Sequence, residues 1–300
     1  MDNQQFKNSE GRPSYEHISP TAKLVAYMRV FSDIPHSEQI SIMTKSDEVA
    51  KQKYGYGYQP EFLKEGAVVL EARFKAVSQL IGRAGVRSVV EIASGVSPRG
   101  LIMTENQAMT YVETDLPEMN GEKEALVKDI LEQEKVVRPN LHFIAADALD
   151  GAQLQAAANL INGELAIAQE GLFVYMSRQD QEKVAQNVWN ILRVRGGVWI
   201  TDVSLKSEMV RRFDASREAT VKTLQQEAGI NLQNNAFADN GEVEAFFERA
   251  GFSIAGKVNL FDLRDSLVSP QKTALAQEQL KVVLETRFIY LLRAVEKLRA

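Results

Sequence analysis

The stretch VVEIASGVSPRGL, residues 89–101, runs from residues suited to a buried strand into a Ser-Gly turn and then to an arginine, Arg99. A turn of this kind before a helix can offer backbone N–H groups to a ligand. A dinucleotide fingerprint would place glycines at positions 93, 95 and 98. The chain instead has Ala93, Ser94, Gly95 and Pro98, and proline has no N–H to give. No Gly-Lys-Ser or Gly-Lys-Thr occurs anywhere, so the loop is poorly suited to NAD, FAD or a nucleoside triphosphate. Acids recur downstream at Glu113, Asp115, Asp147 (followed by Ala148) and Glu170 (followed by Gly171). A ligand with adenine and ribose but no phosphate fits this series. Its ribose hydroxyls would meet Glu113 or Asp115, and its adenine amine would meet Asp147. If it also carries an amino-acid carboxylate, Arg99 could clamp that group through two parallel N–H donors.

Those residues must be positioned, and the apolar pattern shows how. Short apolar runs at 89–93, 110–114, 141–145, 164–168 and 197–201 alternate with helix-compatible segments. That rhythm predicts βαβ units and a parallel sheet, with ligands binding at the carboxyl ends of the strands. Each acid named above then ends a strand. FSIAGKVNLFDL and ETRFIYLLRAV supply two further strands, and Asp239 with Glu242 forms a capping box for the helix before them. Residues 1–85 read as a helical cap, with helices opening near Ser19-Pro20 and Pro60 and a glycine-tyrosine loop, KYGYGYQP, between them. Residues 86–300 read as the catalytic core. An insertion at about 205–238, containing Met209, Val210 and Phe213, is either a solvated helix or a lid over the strand ends.

Composition narrows the chemistry. With no cysteine among 300 residues there are no disulfides, thiolate metal ligands or thiol nucleophiles. His17, His36 and His142 are scattered, without metal-ligand spacing, so no metal is expected. A net charge of -5 argues against nucleic acid or an anionic membrane as partner. The opening MDNQQFKNSEGRPSYEH has no apolar core, and no apolar run approaches the roughly 18 residues of a membrane span. A cytoplasmic protein is the expectation.

Three stretches resemble class I S-adenosylmethionine-dependent methyltransferases, and within them the leucine carboxyl methyltransferase-like, or polyketide-type, O-methyltransferases. They are EIASGVSPRGL, YVETDLPEMNGEKEALV and AQEGLFVYMSRQDQEKVAQNV. Two softer matches are EARFKAV, containing Arg73, and SPTAKLVAYMRV, which is similar to a helix that closes over the site. The resemblance covers roughly residues 18–203. It implies a Rossmann-like, mostly parallel seven-stranded sheet with the last strand antiparallel and helices on both faces. It also implies S-adenosyl-L-methionine as cofactor and S-adenosyl-L-homocysteine as product. The implied roles are Arg99 and Arg73 at the methionine carboxylate, an acid of the second segment at the ribose, and Glu170 near the methionine end. Two departures stand out: Ala93 replaces the first glycine of the family loop, and Ser97-Pro98 replaces its usual Asp-Thr. Alanine suits the turn provided its φ is negative, because only positive φ strongly demands glycine.

The expected activity is methyl transfer to a carboxylate or hydroxyl of a small molecule, with Tyr175, His17 and Phe213 as acceptor-pocket candidates. The alternatives are a carboxyl methyltransferase acting on a protein or peptide C-terminus, which would need an open groove, and a cofactor-binding protein without turnover. No residue stands out as a general base, and the oligomeric state is not indicated.

Overall fold

The computed structural model describes residues 19–54, 60–208 and 235–295. Four helices come first: α1 (Ser19–Arg29), α2 (Ser37–Met43), α3 (Ser46–Tyr54) and α4 (Pro60–Ala84). Strands and helices then alternate through β1 (Ser88–Ile92), α5 (Arg99–Met103), β2 (Thr110–Asp115), α6 (Pro117–Glu134), β3 (Leu141–Ala145), α7 (Gly151–Ala158), β4 (Leu165–Gln169), α8 (Arg178–Arg195) and β5 (Gly197–Asp202). After the insertion come α9 (Asn240–Arg249), β6 (Phe252–Asn259), α10 (Ser269–Thr273), α11 (Gln277–Leu284) and β7 (Phe288–Ala294). The sheet order is β3-β2-β1-β4-β5-β7-β6, with β1 to β5 parallel and β7 antiparallel to both its neighbours. This is the Rossmann-like arrangement expected of the resemblance.

Local chemistry sets the element ends. Asp150 caps α7 by accepting from the N–H groups of Ala152 and Gln153, and Ser177 caps α8 by accepting from Asp180. Pro117 opens α6, where its missing N–H costs nothing. The capping box at α9 is offset by one residue: Asp239 accepts from Glu242 N–H, while the Glu242 carboxylate accepts from Ala238 N–H.

Successive strand residues face opposite sides, so the central strands need apolar residues at nearly every position. One face packs Val89, Ala166, Val198 and Ile200 against Val68, Val77 and Leu80 of α4 and Leu126 of α6. The other packs Val90, Ile167 and Trp199 against α7, α8 and α9. The helix α4 thus lies in the same core as the sheet, across the boundary that the sequence suggests at residue 85. A second difference concerns the end of FSIAGKVNLFDL. Only Phe252–Asn259 is strand, and Leu260–Ser266 turns into a 3₁₀ helix because the Asn259 side chain accepts from Phe261 N–H and caps it. Among the described residues no helix is long and apolar enough to cross a membrane.

Trp199 is fully buried, with its ring 5.8 Å from Phe173, 5.5 Å from Phe247 and 5.1 Å from Phe252 between centroids. Trp199→Ala is expected to lower unfolding free energy by about 3–5 kcal/mol, measured by urea denaturation. A loss under about 1 kcal/mol would mean this aromatic cluster is not a packed unit.

Candidate functional site

The carboxyl ends of β1, β2, β3 and β4 open into a cavity of about 490 Å³ roofed by α1. That lies within the roughly 300–1,000 Å³ range of small-molecule sites. One end is polar, with Ser94, Gly95, Asp115, Asp147 and Ala148 on its wall. The other is apolar, formed by Leu24, Val25, Met28, Phe62 and Val174 with Tyr175. Arg29, Arg73, Glu170 and Gly171 also line it.

The loop after β1 makes the polar end. Ala93 has φ of 53° and Gly95 has φ of 51°, so the chain enters the left-handed region twice in three residues. The negative φ under which alanine would suit this turn is therefore not what Ala93 adopts. The physical reason is pairing: Ser94 N–H donates to Thr114 O at 3.0 Å, and Gly95 N–H donates to the Asp115 carboxylate at 2.8 Å. Both bonds extend the β1–β2 edge around the bend. Asp115 also accepts from Leu116 N–H at 2.8 Å, and burial nevertheless pushes its carboxyl above the usual range. Asp147 accepts from Leu149 N–H at 2.8 Å.

Two predicted contacts change place. Glu113 is fully buried and does not line the cavity; it lies under α5, where its carboxylate meets Lys123 at 2.6 Å. Of the two acids considered for ribose, only Asp115 is on the wall, because Glu113 sits two residues back inside the sheet. Arg99 is likewise fully buried and behind the wall. Its guanidinium bonds to Glu91 and, at 2.5 Å, to Glu170, and it lies 4.5 Å from the Phe74 ring centroid. With each of its three nitrogens bonded to a protein partner and no face on the cavity, Arg99 is not placed to clamp a ligand carboxylate.

The cations that do face the cavity are Arg29 and Arg73. Glu170 Oε1 accepts from Arg29 at 3.3 Å and from Arg73 at 3.1 Å, while Glu170 Oε2 takes Arg99. Arg73 also pairs with Asp202 at 3.3 Å, and Asp202 accepts from Gly171 N–H at 2.7 Å. Burial would push the Glu170 carboxyl up, but Arg73, Arg99 and Arg29 outweigh it and hold it down at about 2. Burial raises Asp202 in spite of Arg73. Two buried polar atoms on the roof helix have no hydrogen-bond partner among the described residues: Arg29 Nε and Thr21 Oγ1.

That donor set fits the cofactor implied by the resemblance. Acceptors stand at the polar end, guanidinium donors stand beside Glu170, and a buried guanidinium N–H remains to be satisfied. Arg29, Lys123 and Asp202 were not among the residues singled out in the sequence. Arg29 was recoverable, since Thr21, Val25 and Arg29 recur at four-residue spacing on one helix face. Lys123, set between Glu122 and Glu124, reads as a solvated charge. His17 and Phe213 lie outside the described residues, as do residues 55–59 of the glycine-tyrosine loop and 209–234 of the insertion.

The family model for leucine carboxyl methyltransferase matches residues 27–189, more than half of the chain. No curated protein sequence matches it. Among solved structures, a DUF574 family protein from Streptomyces avermitilis MA-4680 superposes with a TM-score of 0.55 at 15% identity, covering 91% of this chain and 97% of that one. A candidate methyltransferase from Thermobifida fusca YX gives 0.52 at 14% identity, covering 91% and 94%. At these identities the two structures show a shared fold.

Two outcomes follow from the geometry. Folding favours the ionised Glu170, so its contribution is complete above its ordinary value of 4.5 and is lost as pH falls towards 2. The displacement corresponds to on the order of 3 kcal/mol. Glu170→Gln should therefore flatten the wild-type fall in stability between those pH values, read by denaturant melts at each pH; an unchanged slope would remove Glu170 as its source. Ala93→Gly should stabilise by up to about 1.5 kcal/mol, since a left-handed alanine costs roughly 1–2 kcal/mol and glycine's extra unfolded-state freedom returns about 0.5–1 kcal/mol. A destabilised variant would contradict the positive φ.

Proposed function

Because the chain belongs to the leucine carboxyl methyltransferase family, and is an S-adenosylmethionine-dependent methyltransferase, we propose that it methylates a carboxylate or hydroxyl oxygen of a small molecule held beneath α1. Bound S-adenosyl-L-methionine would supply a methyl group on a sulfonium, already activated for in-line displacement, with S-adenosyl-L-homocysteine as product. The observation that carries this reading is the pair Arg29 and Arg73 on one cavity wall, the first with no partner for its Nε among the described residues. Buried guanidinium donors of this kind suit a carboxylate.

The chain's own residues then divide the work. Arg29 and Arg73 hold the amino-acid carboxylate of the cofactor, Asp115 takes the ribose hydroxyls, and Asp147 with Ala148 borders the adenine. Glu170 keeps both cations aimed. Its carboxylate, held at about 2 by three guanidiniums, is too weak a base to take a proton from a hydroxyl at neutral pH. A carboxylate acceptor needs no such base. The apolar end, with Leu24, Met28, Phe62 and Tyr175, excludes water and receives the body of the acceptor. The α1 roof favours a small molecule over a protein terminus, which would need an open groove.

Calorimetric titration with S-adenosylmethionine and S-adenosylhomocysteine tests the reading, and folded protein that binds neither would overturn it. Arg73→Ala is expected to raise the Kd of S-adenosylmethionine at least about tenfold through loss of a charge-assisted bond; an unchanged Kd would remove Arg73 from the cofactor site.

A further inference from the structure

Lys123, on α6, is 1% exposed, although Glu122 and Glu124 on either side are exposed. Its Nζ lies 2.6 Å from Glu113 Oε2 and donates to the carbonyl oxygens of Ser97 at 2.5 Å and Gly95 at 3.4 Å. Of the three N–H donors of an ammonium, two go to these carbonyls, and the charge is paired with Glu113. Both carbonyls belong to the loop after β1. Ser94, Gly95 and Val96 of that loop are cavity wall, whereas Lys123 is not.

The loop is thus held from two sides. Its N–H groups at Ser94 and Gly95 are tied to the end of β2, and its carbonyls at Gly95 and Ser97 are tied to Lys123. A loop with two left-handed residues in three is not fixed by its own backbone preferences, so these tethers decide which surface the cavity sees. The sheet register explains why a lysine is there. Glu91 and Glu113 are neighbours on β1 and β2, and both are buried. Arg99 neutralises the first, and the second requires a cation of its own.

We propose that Lys123 is a positioning residue for the cofactor. By keeping the Gly95 and Ser97 carbonyls turned from the cavity it fixes the loop face that the nucleoside meets, and Glu113 serves to hold Lys123 rather than to bind ribose. This rests on the reading that the cavity takes S-adenosylmethionine.

The decisive variant is Glu113→Gln with Lys123→Met, which removes both charges together and so leaves no unpaired ion. Three quantities are compared with wild type: the thermal midpoint, the Kd for S-adenosylhomocysteine by calorimetry, and hydrogen exchange of residues 93–98 in ligand-free protein. The expected result is a thermal midpoint near wild type, a Kd raised at least about tenfold, and faster exchange in the loop. A folded double variant with wild-type Kd and wild-type exchange would overturn the proposal. If wild type itself does not bind S-adenosylhomocysteine, the cofactor reading fails, and exchange alone decides the loop tether: faster supports it, unchanged refutes it. Should the double variant not fold, Lys123→Arg keeps the charge but alters the reach to the carbonyls, and an unchanged Kd there would equally refute it.

Discussion

The Glu170 carboxylate accepts hydrogen bonds from arginines on three different helices: Arg29 of α1, Arg73 of α4 and Arg99 of α5. A carboxylate taken from water to a site with 5% side-chain exposure is costly unless its oxygens are satisfied. Here one acid satisfies itself by drawing in three cations, and the cations are what bring the roof helix, the long sheet-covering helix and the loop helix to one point. The arrangement is shared rather than pairwise. Arg99 also serves Glu91, and Arg73 also serves Asp202, so loss of any member leaves a buried charge exposed to its neighbours' field. The site is best understood as one electrostatic unit whose outward face is Arg29 and Arg73 and whose inward face is Arg99 and Glu91.

A second unit stands beside it. Glu91 and Glu113, adjacent across β1 and β2, place two buried carboxylates side by side. Each is neutralised by a cation from a following helix, and each cation then reaches an active surface: Arg99 through Glu170, Lys123 through the loop carbonyls. A loop poor in glycine can serve the site because its shape is imposed by partners around it. A ligand without phosphate does not demand a row of free N–H groups, so Gly95 N–H can be given to Asp115 instead.

Most of the frame was legible because it is written in short-range patterns. Largely apolar five-residue runs, Asp and Ser caps and Pro117 at a helix start depend only on near neighbours, and β1 to β5 fall within a residue or two of where the sequence places them. The acids at the strand ends follow from the same rhythm. What the sequence hides is which side of the wall a charge occupies. Arg99 and Arg73 are both single arginines in helix-forming stretches, yet one is buried behind Glu170 and the other lines the cavity. Glu113 and Asp115 share a strand face, and only their depth relative to α5 separates a structural acid from one on the wall. The sign of φ at Ala93 depends on bonds to Thr114 and Asp115, about twenty residues away, and no local preference of alanine would give it.

The antiparallel pairing of β7 has a consequence for biosynthesis. In the sheet β7 lies between β5 and β6, yet in the chain it follows both. As the polypeptide leaves the ribosome, β1 to β5 can assemble in order, but β6 has no strand to join until residues 288–294 emerge. Until then the edge of β5 stays unpaired, and open edges invite pairing with other chains. The β5 edge is therefore covered only late in synthesis, after the strands whose ends form the cavity wall have emerged.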